Sequence, residues 1–486
     1  MKTKPSVPEE VIAISKALAE AGFEAYLVGG CVRDMMLGRE PKDWDVATDA
    51  QPEEIQKLFP ESVYENDFGT VGIKTESEDE RLKIIQVTTY RIEGTYTDKR
   101  HPDEVKFAAD IEKDLSRRDF TVNAMAMDMK GDVIDPFGGE HDLKDGVVRT
   151  VGAPEERFSE DALRLMRAVR FSAELDFEIE MNTRRAIVKF AGGLEAIAKE
   201  RVRDELVKIV MTPNAAKGII LLEELDLLRY VLPELREGIG VGQNKHHIYT
   251  VFEHNVRALD YTARENYSLA VRMAALLHDV GKPKVKGGNG PDSTFYQHEY
   301  VGAKMAVRML DRLRFPREFT EQVAHLVRSH MFYYDTGAIS PAGVRRFVVR
   351  VGPENIDDLL KVREADRIGS GVKKAMPYRL RHLLFMIDKV KRDPLSPKML
   401  ALRGDDLMPL LDLPQSPRVG WILNALMEEV IDDPKKNDKK YLTKRAKELN
   451  TLSDVELREL FAQAQARKRE AEEEMDNEIK KQHHVQ

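Results

Sequence analysis

Cysteine is almost missing from this chain. Cys31 is the single one in 486 residues, which excludes an intramolecular disulfide framework and fits a reducing cytoplasm. Set between Gly30 and Val32, its small side chain suits packing rather than reactivity. Long apolar runs are missing too. No uninterrupted stretch approaches the ~18–20 residues of a membrane span. The start, Met1-Lys2-Thr3-Lys4-Pro5, leads into a charged amphipathic segment and not a signal peptide, so no membrane partner is expected. An overall excess of positive charge is lacking as well: the net charge of −8 argues against a uniformly basic nucleic-acid binder. No internal repeat is visible. From Thr451 onward there is no glycine, and the high charge there suits a solvated helix or a partly disordered tail.

The net charge hides an asymmetry. Between Pro341 and Leu400, 14 Lys and Arg stand against 7 Asp and Glu. Such a patch can hold RNA phosphates on an otherwise acidic protein, or simply form a solvated helical surface. With 42% hydrophobic residues over 55.4 kDa, several domains are expected. Glu24 to Val28, Thr70 to Lys74 and Leu82 to Tyr90 read as strands, and Val11 to Ala21 and Glu53 to Phe59 as helices. From Glu155 the periodicity is helical nearly throughout. The expected class is α+β: a small mixed-sheet head over 1–150, then a long all-α part comprising a neck (151–240), a body (241–375) and a tail (376–486).

The chemistry concentrates first in Tyr26-Leu27-Val28-Gly29-Gly30-Cys31-Val32-Arg33-Asp34, followed by Asp43-Trp44-Asp45. Alternate residues on a strand share a face, so Asp43 and Asp45 can enter one site. Paired carboxylates suit two Mg²⁺ ions, which prefer oxygen ligands and tolerate bridging phosphates. The Gly pair lets backbone approach a phosphate, and Arg33 can clamp it. Further on, Arg117-Arg118-Asp119 precedes a small-residue run and fits either a phosphate and ribose clamp or a salt-bridge cluster.

In Ser159 to Phe171, Ser159 is a plausible N-cap and Leu165, Met166, Val169 and Ala173 form a buried stripe. Asp161 and Arg164, at i and i+3, are then expected as neighbours on an exposed face, with Arg167 and Arg170 continuing in three-residue steps. Cytosine and adenine each present an amino donor beside a ring-nitrogen acceptor. An Asp can accept from the first while an Arg donates to the second. Guanine and uracil present a carbonyl and an N–H there, so both contacts fail. From this helix alone, an N-terminal carboxylate favoured by the helix dipole, in an ordinary i,i+3 salt bridge, explains the pair more simply.

These pieces, with Asp135-Pro136-Phe137-Gly138-Gly139 and Glu200-Arg201, occur in order over residues 24–210. In that order they resemble the class II tRNA nucleotidyltransferases, the bacterial CCA-adding enzymes and poly(A) polymerases of the polymerase β superfamily. The resemblance implies that Asp43 and Asp45 bind two Mg²⁺ and carry catalysis, and that Gly30, Arg33 and Arg118 contact the nucleotide. Asp161, Arg164, Arg167 and Arg170 would form a protein template choosing CTP and ATP for a tRNA 3′ end. The implied partners are tRNA, CTP and ATP, and the implied state is a monomer or homodimer in the cytoplasm. One departure stands out. The superfamily commonly has a third carboxylate near Ile85-Gln86-Val87-Thr88, and Gln86 carries no charge. Asp67-Phe68-Gly69-Thr70 replaces the basic segment expected of a poly(A) polymerase, and Gly94 to Phe107 retains the loop that CC-adding enzymes are expected to lack. Full CCA addition and A-only addition remain open at this stage.

A second constellation follows in the body: His254, His278-Asp279 at the end of an apolar helix (Leu269 to Val280), His298, His330 and Asp366. Adjacent His and Asp at a buried helix end are costly to desolvate unless they bind something. Imidazole and carboxylate ligands without cysteine suit Mn²⁺, Fe²⁺, Ni²⁺, Co²⁺ or Mg²⁺ better than a structural zinc. The segment resembles the HD metal-dependent phosphohydrolase domain. His254, His278, Asp279 and Asp366 match its core, and His298 and His330 match its extended set. That resemblance implies a phosphodiesterase or phosphatase acting on RNA ends or small nucleotides.

Overall fold

The computed structural model describes residues 7–66, 69–93, 105–108, 110–244, 248–332, 334, 340–390 and 399–463. The segments expected to distinguish this chain within the family, Asp67-Phe68 and most of Gly94 to Phe107, lie outside the described residues. The chain divides into two compact units, residues 1–237 with 309–316, and 238–308 with 317–486.

The first unit opens with helix α1 (Glu9–Glu20) and strand β1 (Tyr26–Val28), then α2 (Gly30–Met36), β2 (Asp45–Thr48), α3 (Pro52–Leu58), β3 (Ser62–Asn66), β4 (Thr70–Lys74) and β5 (Ile84–Thr89). A small antiparallel ribbon, β6 (Arg91–Glu93) and β7 (Val105–Phe107), precedes α4 (Ile111–Ser116), β8 (Ala126–Met127), β9 (Val133–Ile134) and α5 (Gly139–Asp145). The main sheet has seven strands in the order β3-β4-β5-β2-β1-β8-β9, with β2 and β5 parallel and the other pairs antiparallel. This is the mixed sheet expected from the sequence. In β5, Ile85, Val87 and Thr89 are buried while Ile84 and Gln86 are exposed, the period-two pattern of a half-covered strand. Two strands are shorter than expected. Glu24 gives its N–H to the Asp49 side chain, 2.7 Å away, so the ladder begins at Tyr26. Leu82 closes a turn, its N–H bonding the Asp79 carbonyl at 2.9 Å, so β5 begins at Ile84.

Helices then follow: α6 (Pro154–Glu160), α7 (Leu163–Leu175), α8 (Met181–Phe190), α9 (Lys199–Met211), α10 (Ala215–Glu224), α11 (Leu228–Val231) and α12 (Pro233–Arg236). The expected stripe of Leu165, Met166, Val169 and Ala173 is fully buried, and each of the larger three contributes roughly 2 kcal/mol of apolar burial. The helix start is a correction. Ser159 caps nothing there: it lies inside α6 and its hydroxyl donates to the Glu156 carbonyl at 2.8 Å. The chain breaks at Asp161, whose backbone is extended and whose carboxylate accepts the Leu163 N–H at 2.9 Å. A short acceptor side chain that bonds the backbone two residues on competes with helix continuation.

The second unit contains α13 (Val251–Arg264), α14 (Leu269–Leu277), α15 (Lys282–Val285), most of α16 (His298–Arg312), α17 (Arg317–Ser329), α18 (Pro341–Val351), α19 (Ile356–Gly369) and α20 (Tyr378–Val390), then α21 (Gly404–Leu411), α22 (Pro417–Asp432) and α23 (Lys439–Asn450). Thr250 and Glu253 form a capping box that starts α13, and Ser268 caps α14. Every residue of α14 after Leu269 is buried. It ends at Leu277, leaving His278 as its cap.

Candidate active site

A cleft of about 810 Å³ in the first unit is lined by Gly30, Arg33, Asp43, Asp45, Arg118, Asp161, Arg164, Arg167 and Arg170, together with Asn123, Phe171 and Arg201. All nine residues singled out in the head and neck thus face one space. At its entry from β1, Gly29 has φ +75°, and a Cβ there would lie 2.7 Å from Arg118 Nη1. Only glycine lets the turn and that arginine coexist. Arg33, starting from α2, is buried and donates to Asn123 Oδ1 at 2.6 Å and Asp34 Oδ1 at 3.0 Å. Arg118 is steadied by the Asn123 carbonyl at 3.4 Å and Asp114 Oδ2 at 3.3 Å.

Asp43 precedes β2 and Asp45 begins it, on the cleft side of the sheet edge. Burial, then the Asp43 charge, push the Asp45 carboxyl up to about 6 against the pull of Arg118. A partly buried pair of carboxylates that resist ionising together is suited to a divalent cation. Gln86 sits opposite Asp45 in the parallel β2–β5 register. Beneath the site Cys31 is buried and its thiol is pushed up to about 12, chiefly by burial, in keeping with a packing role.

The arginine row is ordered differently from the sequence expectation. Asp161 and Arg164 do not pair as helix neighbours. Asp161 Oδ2 meets Arg201 Nη2 at 2.7 Å. Arg164 bonds Glu160 and reaches the Arg157 and Arg117 carbonyls at 3.2 and 3.3 Å. Arg167 pairs with Asp119 at 2.5 Å, and Arg170 with Glu205 at 3.0 Å while stacking on Phe171 at 4.3 Å. Burial alone would raise Asp119, but Arg167 and Arg164 more than offset it and hold it below the usual carboxylate range. The sequence reading did not anticipate Asn123, Glu205 or the partner role of Arg201. The Glu200-Arg201 motif carried a signal for the last, but not what it would touch.

In the second unit, His254, His278 and Asp366 converge, and beside them Asp279, His298 and His330. Within each triad the ligand atoms lie within 4.8 Å of one another. All six are buried. Asp279 joins the two groups. Its Oδ2 is 3.2 Å from His254 Nε2 and 3.4 Å from His278 Nε2, and its Oδ1 is 3.2 Å from His298 Nε2 and 3.7 Å from His330 Nε2. The Nδ1 atoms of His278, His298 and His330 lie 2.8, 2.8 and 2.6 Å from the carbonyls of Ala275, Phe295 and Val327. A carbonyl only accepts, so each Nδ1 carries the proton. In the neutral ring this turns an Nε2 lone pair inward, the tautomer a metal ligand needs. Neither Asp279 oxygen accepts a well-directed hydrogen bond, although Lys282 Nζ lies 2.6 Å from Oδ2. Burial favours a neutral His278, but Asp279 and Asp366 override it and raise it to about 10. Against the cost of burial, Lys282 and then His278 draw the Asp279 carboxyl well down, and Arg363, with His254 and His278 behind it, does the same for Asp366. The donor set fits divalent metal.

Residues 25–149 match the poly A polymerase head domain, 176–239 the probable RNA and SrmB-binding site of polymerase A, and 251–371 the HD domain. The chain is 38% identical over 418 residues to the A-adding tRNA nucleotidyltransferase of Deinococcus radiodurans, covering 83% of this chain and 91% of that one. It is 32% identical over 450 residues to the CCA-adding enzyme of Enterococcus faecalis, covering 92% and 97%. Among solved structures, the Bacillus stearothermophilus CCA-adding enzyme in complex with CTP superposes with a TM-score of 0.68 at 29% identity, covering 91% of this chain and 97% of that one. No described helix is long and apolar enough to cross a membrane.

Proposed function

The chain belongs to the class II tRNA nucleotidyltransferases, and from that membership we propose that it adds CCA to tRNA 3′ ends from CTP and ATP without a nucleic-acid template. The observation that carries this reading is the single cleft in which the Asp43–Asp45 pair and the Asp161, Arg164, Arg167 and Arg170 row share one space. Asp43 and Asp45 would hold two Mg²⁺, whose Lewis acidity supports in-line attack of the RNA 3′-hydroxyl on the nucleotide α-phosphate with pyrophosphate leaving. Arg33 and Arg118, held in place by Asn123, face the triphosphate as charge-assisted donors. Asp161 and Arg164 read the amino group and ring nitrogen shared by cytosine and adenine.

We assign 1–150 to the nucleotidyltransferase head, 151–240 to the base-selecting neck, 241–375 to an HD domain and 376–486 to a tRNA-holding tail. The buried His and Asp cluster supports a metal-dependent phosphatase or phosphodiesterase activity for the HD domain. The work belongs in the cytoplasm, where the lone buried Cys31 stays reduced.

A second reading, A-only addition beside a separate CC-adding enzyme, is favoured by the 38% identical A-adding relative. Transcripts ending before CCA, after C and after CC separate the readings. Labelled CTP entering the first supports full CCA addition. ATP entering only the CC-ended transcript supports A-only addition. Phosphate release with no incorporation would leave only a phosphohydrolase with a nucleotide-sensing head.

A further inference from the structure

Helix α20 carries an aromatic row on its open side. Tyr378, His382 and Phe385 occupy successive turns, with ring centroids 6.0 and 6.3 Å apart. The row is anchored from behind: Tyr334 is buried, its ring centroid lies 5.7 Å from that of His382, and its hydroxyl bonds His382 Nδ1. The outer two rings are left in solvent, Tyr378 at 64% and Phe385 at 62% exposure, while Leu380, Leu383, Met386, Ile387 and Val390 bury the other side of the helix. Exposing two large rings in one row on a helix face is unfavourable in water and marks a contact surface.

Charge says what kind of contact. Lys373 and Lys374 just ahead of α20, and Arg379, Arg381 and Lys389 on it, are exposed. Lys389 extends the row by one further turn. Among the described residues none of these five has an ion-pair partner. Over 372–390 the only acidic residue is Asp388, on a chain whose net charge is −8. A protein partner would have to be acidic and apolar at once. Nucleic acid with unpaired bases supplies both halves naturally, since π faces stack on the rings and phosphates meet the cations.

The geometry points to α20 as a base-stacking platform for unpaired loop bases of the RNA acceptor, beyond the phosphate and shape contacts that a basic helical surface provides. This deepens the assignment of tRNA as acceptor and rests on it. Stacking contributes ~5-fold or more in affinity per base, so two such contacts multiply to about 25-fold, and a loss of at least about 10-fold is the threshold for removing both exposed rings.

The test uses the full-length chain with the substitutions Tyr378→Ser and Phe385→Ser together, both at exposed positions, with an unchanged thermal midpoint as the folding control. The probes are a tRNA transcript lacking CCA, carrying 2-aminopurine at unpaired loop positions, and a blunt acceptor-stem duplex without unpaired bases. The expected result is a 10-fold or greater loss for the transcript, duplex binding unchanged within about 2-fold, and loss of the aminopurine quenching that the parent chain produces. A companion variant, Arg381→Gln with Lys389→Gln, lowers the salt slope of binding and keeps the quenching. Equal losses on both RNAs, or none on either, overturn the proposal. So does a double variant that keeps tRNA affinity but changes sedimentation from dimer to monomer, which would make α20 a contact between copies. Failure of the transferase assignment reads out separately, as absence of CTP and ATP incorporation by the parent chain at saturating transcript.

Discussion

Asp45 on β2 and Gln86 on β5 are direct partners in a parallel register, so an amide stands beside the carboxylate we assign to catalysis, where a third acid is common in the superfamily. The other acids lining the cleft are engaged: Asp34 with Arg33 at 3.0 Å, Asp119 with Arg167 at 2.5 Å, Asp161 with Arg201 at 2.7 Å and Glu174 with Lys42 at 3.2 Å. On our assignment, Asp43 and Asp45 carry the chemistry without a third acid. Gln86→Ala is expected to keep CTP incorporation within about 3-fold, whereas Asp43→Ala loses about 10³-fold or more while still binding tRNA. Steady-state incorporation and filter binding check both, and full-rate incorporation by Asp43→Ala would sink the metal assignment.

The carboxyl of Asp45 gives a pH dependence with a definite sign. Its folded value, about 6, lies above the unfolded one because of burial and the Asp43 charge. The fold therefore penalises the ionised form. This group's contribution is most favourable below its unfolded value, near ~3.9, and is lost as pH rises through about 6. In chelator, Asp45→Asn should raise the thermal midpoint at pH 7.5 by about 2–4 °C, and the gain should vanish by pH 4. Added Mg²⁺ should stabilise the parent chain and not the variant. A variant that melts lower at pH 7.5 would contradict the sign.

Arg201 holds Asp161 by its carboxylate while the Leu163 N–H holds the same group from the other side. Removing the guanidinium frees the Asp161 acceptor, which we assign to base reading, without removing it. Arg201→Ala is expected to lower kcat/KM for CTP and ATP together by about 10- to 100-fold and to narrow discrimination against UTP and GTP. Arg201→Lys should restore part of it. Loss for one nucleotide alone would assign Arg201 to that base instead.

Much of this site was legible in the sequence because its motifs sit on short, rigid pieces. Gly29-Gly30 follows a strand whose apolar run is unmistakable, and the spacing of Asp43 and Asp45 brings both to one cleft, although Asp43 lies in the bend before β2 and not on the strand. The neck was legible only in part. Its buried stripe followed helical spacing, but a helix pattern cannot reveal that the Asp161 side chain captures the Leu163 N–H and breaks the helix there. Nor can it show which distant carboxylate each arginine finds, since Asp119 and Glu205 come from other segments. In the HD cluster, the resemblance to the HD domain singled out the six residues. The sharing of Asp279 between two triads required the packing of α13, α14, α16, α17 and α19.

That sharing makes metal loading testable residue by residue. Asp279 faces both triads, while His330 belongs to one and His254 to the other. With saturating Mn²⁺, the parent chain should hold two ions in this cluster besides those of the head. His330→Ala should lose one of the two and Asp279→Ala both, measured by plasma emission after gel filtration on an Asp43→Ala, Asp45→Ala background. The histidine cluster also sets the pH response. His278 carries a proton up to about 10 in the metal-free fold, and a metal must displace it. Apparent affinity should therefore rise about tenfold per pH unit between 6 and 8. Metal binding that survives Asp279→Ala, or that weakens as pH rises, would rule out the shared carboxylate as the centre of this site.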